Sequence, residues 1–218
     1  QANYDRAQTR VHYSDYVDHV DAHIITFRGV INSVARQDIV KFEVKWFVKQ
    51  DGSIYLDLEA EKNPLMPFLP RFGMKLPLIS EFDQVSYYGN GPFESYEDKH
   101  YASYLGHFEG KVADFYEPYV TPQENGSHNF VKNLIVASQS EKLGFTSEMS
   151  FSFNVSNYSV EQLTEVMHRD LLEIEDVTYL HLDVKQSGLG SNACGPVLHE
   201  NYQFNDPQFI FGLGIFLI

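Results

Sequence analysis

The chain has 218 residues, with 30 acidic side chains against 16 basic ones and a net charge of −14. A surface of that sign repels phosphate backbones and sets nucleic acid aside as a partner, whereas a neutral ligand such as a sugar is indifferent to it. Hydrophobic residues at 43% and charged residues at 21% are ordinary for a globular chain large enough to bury a full core. The single cysteine, Cys194, excludes an internal disulfide and suits a reducing compartment. No apolar run reaches the ~20 residues that span a bilayer. The start, Q-A-N-Y-D-R-A-Q, has neither an initiating Met nor a signal-peptide pattern. It reads as a piece of a longer, cytoplasmic chain.

In chain order, residues 1–22 are expected to be partly irregular. His19 and His23 stand four apart, but in a segment that reads partly as strand, where such residues lie far apart; no metal site is expected. Residues 23–31 read as a strand. In 39–60, Val40, Phe42, Val44, Trp46 and Val48 alternate with mostly charged positions, Asp51-Gly52 supplies a turn, and Ile54, Leu56, Leu58 and Ala60 alternate back. That pattern predicts a β-hairpin with one wet face. Pro64, Pro67 and Pro70 make 63–70 an irregular crossing. Strands are predicted at 72–79, 84–88, 149–155, 178–184 and 208–217, and short strands with ordered loops over 100–148. Only 159–172 predicts a helix, capped by Ser159 with Gln162 in the reciprocal capping-box position. The 17 Phe and 14 Tyr favour sheet, because rings pack well on a pleated surface. One antiparallel all-β domain over 1–218, of two packed sheets with one surface helix, is the expected architecture.

Three loops are dense in chemistry. In S-Y-Y-G-N-G-P-F-E-S-Y-E-D-K (86–99), carboxylates lie beside tyrosines, as in sugar-cleaving sites. A glycosidase needs two carboxyl groups ~5–9.5 Å apart, which sequence spacing cannot establish. The commoner role of Glu94 and Asp98 is to accept backbone N–H bonds after the turn, with Lys99 balancing a carboxylate. In Y-V-T-P-Q-E-N-G-S-H (119–128), Gln123, Glu124, Asn125 and His128 could bond sugar hydroxyls, or Asn125-Gly126 could simply make a turn. In Q-S-G-L-G-S-N-A-C-G-P (186–196), glycines allow close backbone approach, with Asn192 and Cys194 at the tip. No histidine stands beside Cys194 to activate it as a nucleophile.

Taken together, P-R-F-G-M (70–74), Y-G-N-G-P-F-E-S-Y-E-D-K (88–99), Y-x-x-P-Q-E-N-G (119–126), M-H-R-D-L (167–171) and G-L-G-S-N-A-C-G-P (188–196) resemble the C-terminal, small-chain domain of bacterial β-galactosidases of glycoside hydrolase family two. The resemblance implies an antiparallel β-supersandwich like that of galactose mutarotase. It implies that the catalytic glutamate pair lies on a TIM barrel outside this chain, and that the full enzyme is an oligomer that hydrolyses β-galactosides such as lactose. Mg or Na in the full enzyme would lie on other domains, with no cofactor here. It also implies that the 188–196 loop shapes the aglycone side of the active site, through Asn192 and Cys194. Relatives carry a Trp platform where this chain has Cys194; its only Trp is Trp46, in the hairpin. Two other readings are an autonomous carbohydrate-binding module, with Arg71, Glu94, Tyr96 and Glu124 as contacts, and an aldose mutarotase-like enzyme.

Overall fold

The computed structural model describes residues 3–33, 37–190 and 195–218. Eleven strands are linked into one antiparallel sheet that folds over as a sandwich: β1 (Gln8–Asp18), β2 (Ala22–Asn32), β3 (Asp38–Lys49), β4 (Ile54–Lys62), β5 (Arg71–Ile79), β6 (Gln84–Gly91), β7 (Tyr104–Lys111), β8 (His128–Ala137), β9 (Lys142–Ser156), β10 (Val177–Gln186) and β11 (Gln208–Leu217). The main order is β1-β2-β3-β4-β11-β9-β8-β6-β7, and β10 joins β5 to β9.

The 15-residue β9 lets one sheet become two layers. Its first half pairs with β11 (Leu143–Thr146) and its second with β10 (Ser152–Ser156), while β8 runs along the other side. The β8 register shifts twice, and within the first shift Phe130 sits at φ 55°, a left-handed conformation that costs a bulky residue strain. Leu134, Phe153, Leu180, Leu182 and Leu213 are fully enclosed in the core between the layers.

The 39–60 hairpin forms as its alternation predicts. Trp46 faces Leu56 and Val44 faces Leu58 on the side of the main core, with Gly52 at φ 84° in the turn. The same apolar face continues through Phe42 and Ala60 into a second cluster with Ile39, Val40, Met66, Leu69 and Phe204. The proline-rich crossing closes over that cluster. It is tied by the buried ammonium of Lys62, which donates to the carbonyl of Met66 at 2.7 Å.

Two expectations are corrected. Residues 8–18 are not irregular: they form β1, an edge strand paired, among the described residues, only to β2, with all eleven side chains exposed. Its polarity hid it, because a strand wet on both faces has no alternation to read. The helix is α1 (Val160–Glu165), less than half the predicted length, followed by a 3-10 turn at Arg169–Leu171. Ser159 caps it as predicted, accepting from Gln162 N at 3.2 Å. The reciprocal partner is Glu175 rather than Gln162: its carboxylate accepts from both Ser159 N and Ser159 Oγ. The rest of the apolar stripe has nothing to bury against, so Met167 and Leu171 are exposed and the helix stops.

Leu180→Ala should cost about 2–5 kcal/mol in urea unfolding followed by Trp46 fluorescence, whereas Val17→Ala on β1 should stay within about 0.5 kcal/mol. Similar costs at the two positions would contradict this division between core and edge.

Candidate functional site

The dense loops converge at one end of the sandwich, and carboxylates hold them there. Glu94 follows the turn after β6. One of its oxygens accepts from Gly126 N at 2.8 Å; the other takes hydrogen bonds from Lys99 Nζ and the Tyr119 hydroxyl. Asp98 accepts from Leu189 N at 2.9 Å and Gly190 N at 2.7 Å. The two carboxylates therefore do bind backbone N–H groups, but in the 119–126 and 186–196 loops rather than in their own turn. Ser95 strengthens the first link, donating N–H to Ser127 O at 2.7 Å and accepting from Asn129 N at 3.0 Å.

Gly126 must be glycine. It stands at φ 72°, and a Cβ there would collide with the Phe115 carbonyl. Asn125 is buried and engaged, accepting from Glu117 N and donating to Gln123 O. Its role is to make the loop turn, not to hold a sugar. Arg169 of the M-H-R-D-L stretch reaches the same loop through the Pro118 carbonyl, at 3.4 Å.

Arg71 anchors the other side. Its Nε and one terminal nitrogen grip both oxygens of Asp183, at 3.1 and 2.6 Å, and its other terminal nitrogen reaches Glu124 at 3.1 Å. Gly73 leaves the space that Asp183 occupies. Burial works to lower the Arg71 pKa, but the pull of Asp183 and then of Glu124 outweighs it and raises it. Burial raises the Glu124 carboxyl against the opposing pull of Arg71, and Glu124 Oε1 is buried with no hydrogen-bond partner among the described residues. The Asp183 side chain is only 3% exposed, so without Arg71 a buried charge would stand unpaired.

The four residues considered as open sugar contacts divide. Tyr96 is 1% exposed and Glu94 7%, both enclosed by the loops they hold, so neither is open to a sugar in this structure. Arg71 and Glu124 keep partial access, 28% and 33% of their side chains. Asn192 and Cys194 lie outside the described residues. Trp46 packs against the core, not at this end. His128, read as a candidate contact, is buried against Tyr87 and Phe153, and its Nδ1 lies 2.9 Å from the Tyr87 hydroxyl. No group of three or more His, Cys, Asp or Glu stands ready for a metal among the described residues.

Sequence reasoning missed His181. It lies between Leu180 and Leu182, and period-two alternation alone places it on the face opposite the core. It is 8% exposed, and its Nδ1 is buried with no hydrogen-bond partner among the described residues. Burial pushes both His181 and His128 down to about 4.

The family described as beta galactosidase small chain matches residues 1–215. The chain belongs to that family. A β-galactosidase of Staphylococcus xylosus is 40% identical over 98% of this chain and 22% of its own length. A β-galactosidase of Actinobacillus pleuropneumoniae is 36% identical over 95% of this chain and 20% of its own. The small-chain domain thus spans about a fifth of the curated relatives it matches. The GalM/aldose epimerase homologue of C. elegans aligns over 94% of this chain and 68% of its own, with TM-score 0.49 and 9% identity, too distant to bear on chemistry here. The motifs that carried the resemblance in the sequence are the segments that interlock in space. No helix is long and apolar enough to cross a membrane among the described residues.

Two measurements check this site. Arg71→Ala should cost about 3–5 kcal/mol in urea unfolding, and Asp183→Leu in the same chain should recover part of it, because the penalty is an unpaired buried carboxylate. Acid should also weaken the fold. The unfolded chain takes up protons at His128 and His181 near pH 6.5, while the folded chain resists until about 4. Stability should be full above pH 6.5 and fall as pH drops towards about 4, by up to about 3 kcal/mol per histidine. Replacing His181 with Asn should flatten that slope; an unchanged slope would contradict the buried neutral ring.

Proposed function

We propose that this small-chain domain is the non-catalytic part of a retaining β-galactosidase, acting on terminal β-galactosides such as lactose. One observation carries the reading. Two of the three acids of the sequence stretch most like a glycosidase site, Glu94 and Asp98, are engaged with the backbone of neighbouring loops, with Glu94 also ion-paired to Lys99. A nucleophile or proton donor must face substrate, and these carboxylates face their own chain. The relatives, about five times longer, leave room for a catalytic barrel elsewhere.

In this reading the 186–196 loop, held at its base by Asp98, is presented to the aglycone side of that barrel. With Asn192 and Cys194 and no Trp in the sequence of this loop, acceptor sugars bind there less by stacking. The remaining domains or a large subunit cover surface that this chain leaves open, and the assembled enzyme is an oligomer. Any Mg or Na lies outside this chain. The single cysteine fits a cytoplasmic setting.

A chromogenic β-galactoside assay tests the reading. The chain alone should be inactive, and activity should return when it is mixed with the barrel-bearing remainder of its enzyme. Glu94→Gln should lower the recovered activity by loosening the loops. Hydrolysis by the chain alone, abolished by Glu94→Gln, would overturn the reading.

A further inference from the structure

The two layers of the sandwich are unequal. β8 runs along one edge of β9, so β11 and β10 share its other edge in succession. From that edge the sheet forks. One branch is β11-β4-β3-β2-β1 and the other is β10-β5, and the two face each other across the main core. Five strands therefore lie against two. At ~4.8 Å per strand, about 14 Å of the longer branch has no strand opposite it among the described residues.

The side chains show where the cover ends. Leu213, Leu56, Trp46, Ile25 and Tyr16 stand in register across β11, β4, β3, β2 and β1, all on the core-side face. Leu213 is 0% exposed and Leu56 3%, Trp46 and Ile25 are half-buried, and Tyr16 is 58% exposed. Phe27 and Val48, on the same face, are half-buried too. On the shorter branch, Leu76 and Leu78 of β5 pack against the core and are also only half-buried. An apolar row that outruns its cover, with an open strand edge beside the gap, marks a surface that a partner completes.

Charge and edge chemistry disfavour a second copy as that partner. The net charge of −14 sets two copies of the chain against each other. Both edges are also blunted against strand pairing, β1 by the register shift between Val11 and Tyr13 and β5 by Lys75 and Pro77. In the β-galactosidase relatives, by contrast, the matching region is 22% and 20% of the length, so about four-fifths of each polypeptide lies outside it.

We propose that the overhanging face of β1–β3, centred on Tyr16, Ile25 and Trp46, is closed in the assembled enzyme by an apolar segment of the polypeptide outside this chain, lying beside β5 to complete the shorter layer. This rests on the small-chain reading and names the surface by which the rest of the enzyme is held. The contact is made by side chains, since the blunted edges offer little to a further strand.

Trp46, the only Trp of the chain, is the reporter that tests this. The chain carries fluorotryptophan and is mixed with the barrel-bearing remainder of its enzyme, while fluorine NMR and galactosidase activity are followed together. The Trp46 signal should shift on mixing and lose its response to heavy water. Tyr16→Asp and Val17→Asp place the same charge at adjacent exposed positions on opposite faces of β1, so neither threatens the fold. Tyr16→Asp should raise the amount of chain needed for half-maximal recovery about tenfold, and Val17→Asp should not. A Trp46 signal that stays put while activity returns, or equal effects of the two variants, would overturn the proposal. So would a shift produced by concentrating the chain alone, which would give the face to a second copy. A Trp46 shift without recovered activity would uphold this contact and sink the proposed function instead.

Discussion

The loops at one end of this domain are held by carboxylates that accept backbone N–H groups from distant segments. Glu94 reaches across 32 positions to Gly126, and Asp98 across about 90 to Leu189 and Gly190. A carboxylate in this role is worth more than a neutral acceptor, because charge-assisted hydrogen bonds are shorter and stronger. It also suits segments without regular structure, whose backbone donors would otherwise lack partners. Arg71 does the complementary task, neutralising Asp183 beneath the loops and linking β10 to Glu124. The sandwich supplies a rigid platform, and these few charged groups set what it presents.

That arrangement explains why a stretch resembling a hydrolytic centre belongs to a domain that performs no hydrolysis in our account. Acids, tyrosines, glycines and a lysine in close succession are also what a loop junction needs. Glycine permits close approach, carboxylates gather amides, and tyrosines fill the gaps and give their hydroxyls to charged partners. Tyr119 is an example, with its hydroxyl shared between Glu94 and Lys99. In Glu94 and Asp98 composition points to catalysis, but orientation points to structure.

Much of the fold was legible from residue patterns. The hairpin of β3 and β4 was readable because one face packs, buried or half-buried, against the two cores along most of its length, so every second residue there is apolar. β1 was not readable, because it is wet on both faces and held by backbone pairing and exposed side-chain contacts such as Tyr16 with His23. The helix was overread because Met167 and Leu171 continue its stripe with no surface to meet. At the loops, the residue types behind Glu94 and Asp98 were legible, but their partners were not, since contacts across 32 and about 90 positions leave no local trace. His181 was overlooked for a different reason: a histidine between two leucines fits the wet face of a strand, and only the structure shows that this face is covered and lines a cleft.

Amide hydrogen exchange at Gly126, Leu189 and Gly190 tests the central claim most directly. The account predicts that Glu94→Gln speeds exchange at Gly126 and leaves Leu189 and Gly190 protected, while Asp98→Asn does the reverse. Unchanged protection in both variants, or equal loss at all three amides in each, would show that the carboxylates do not hold their separate loops.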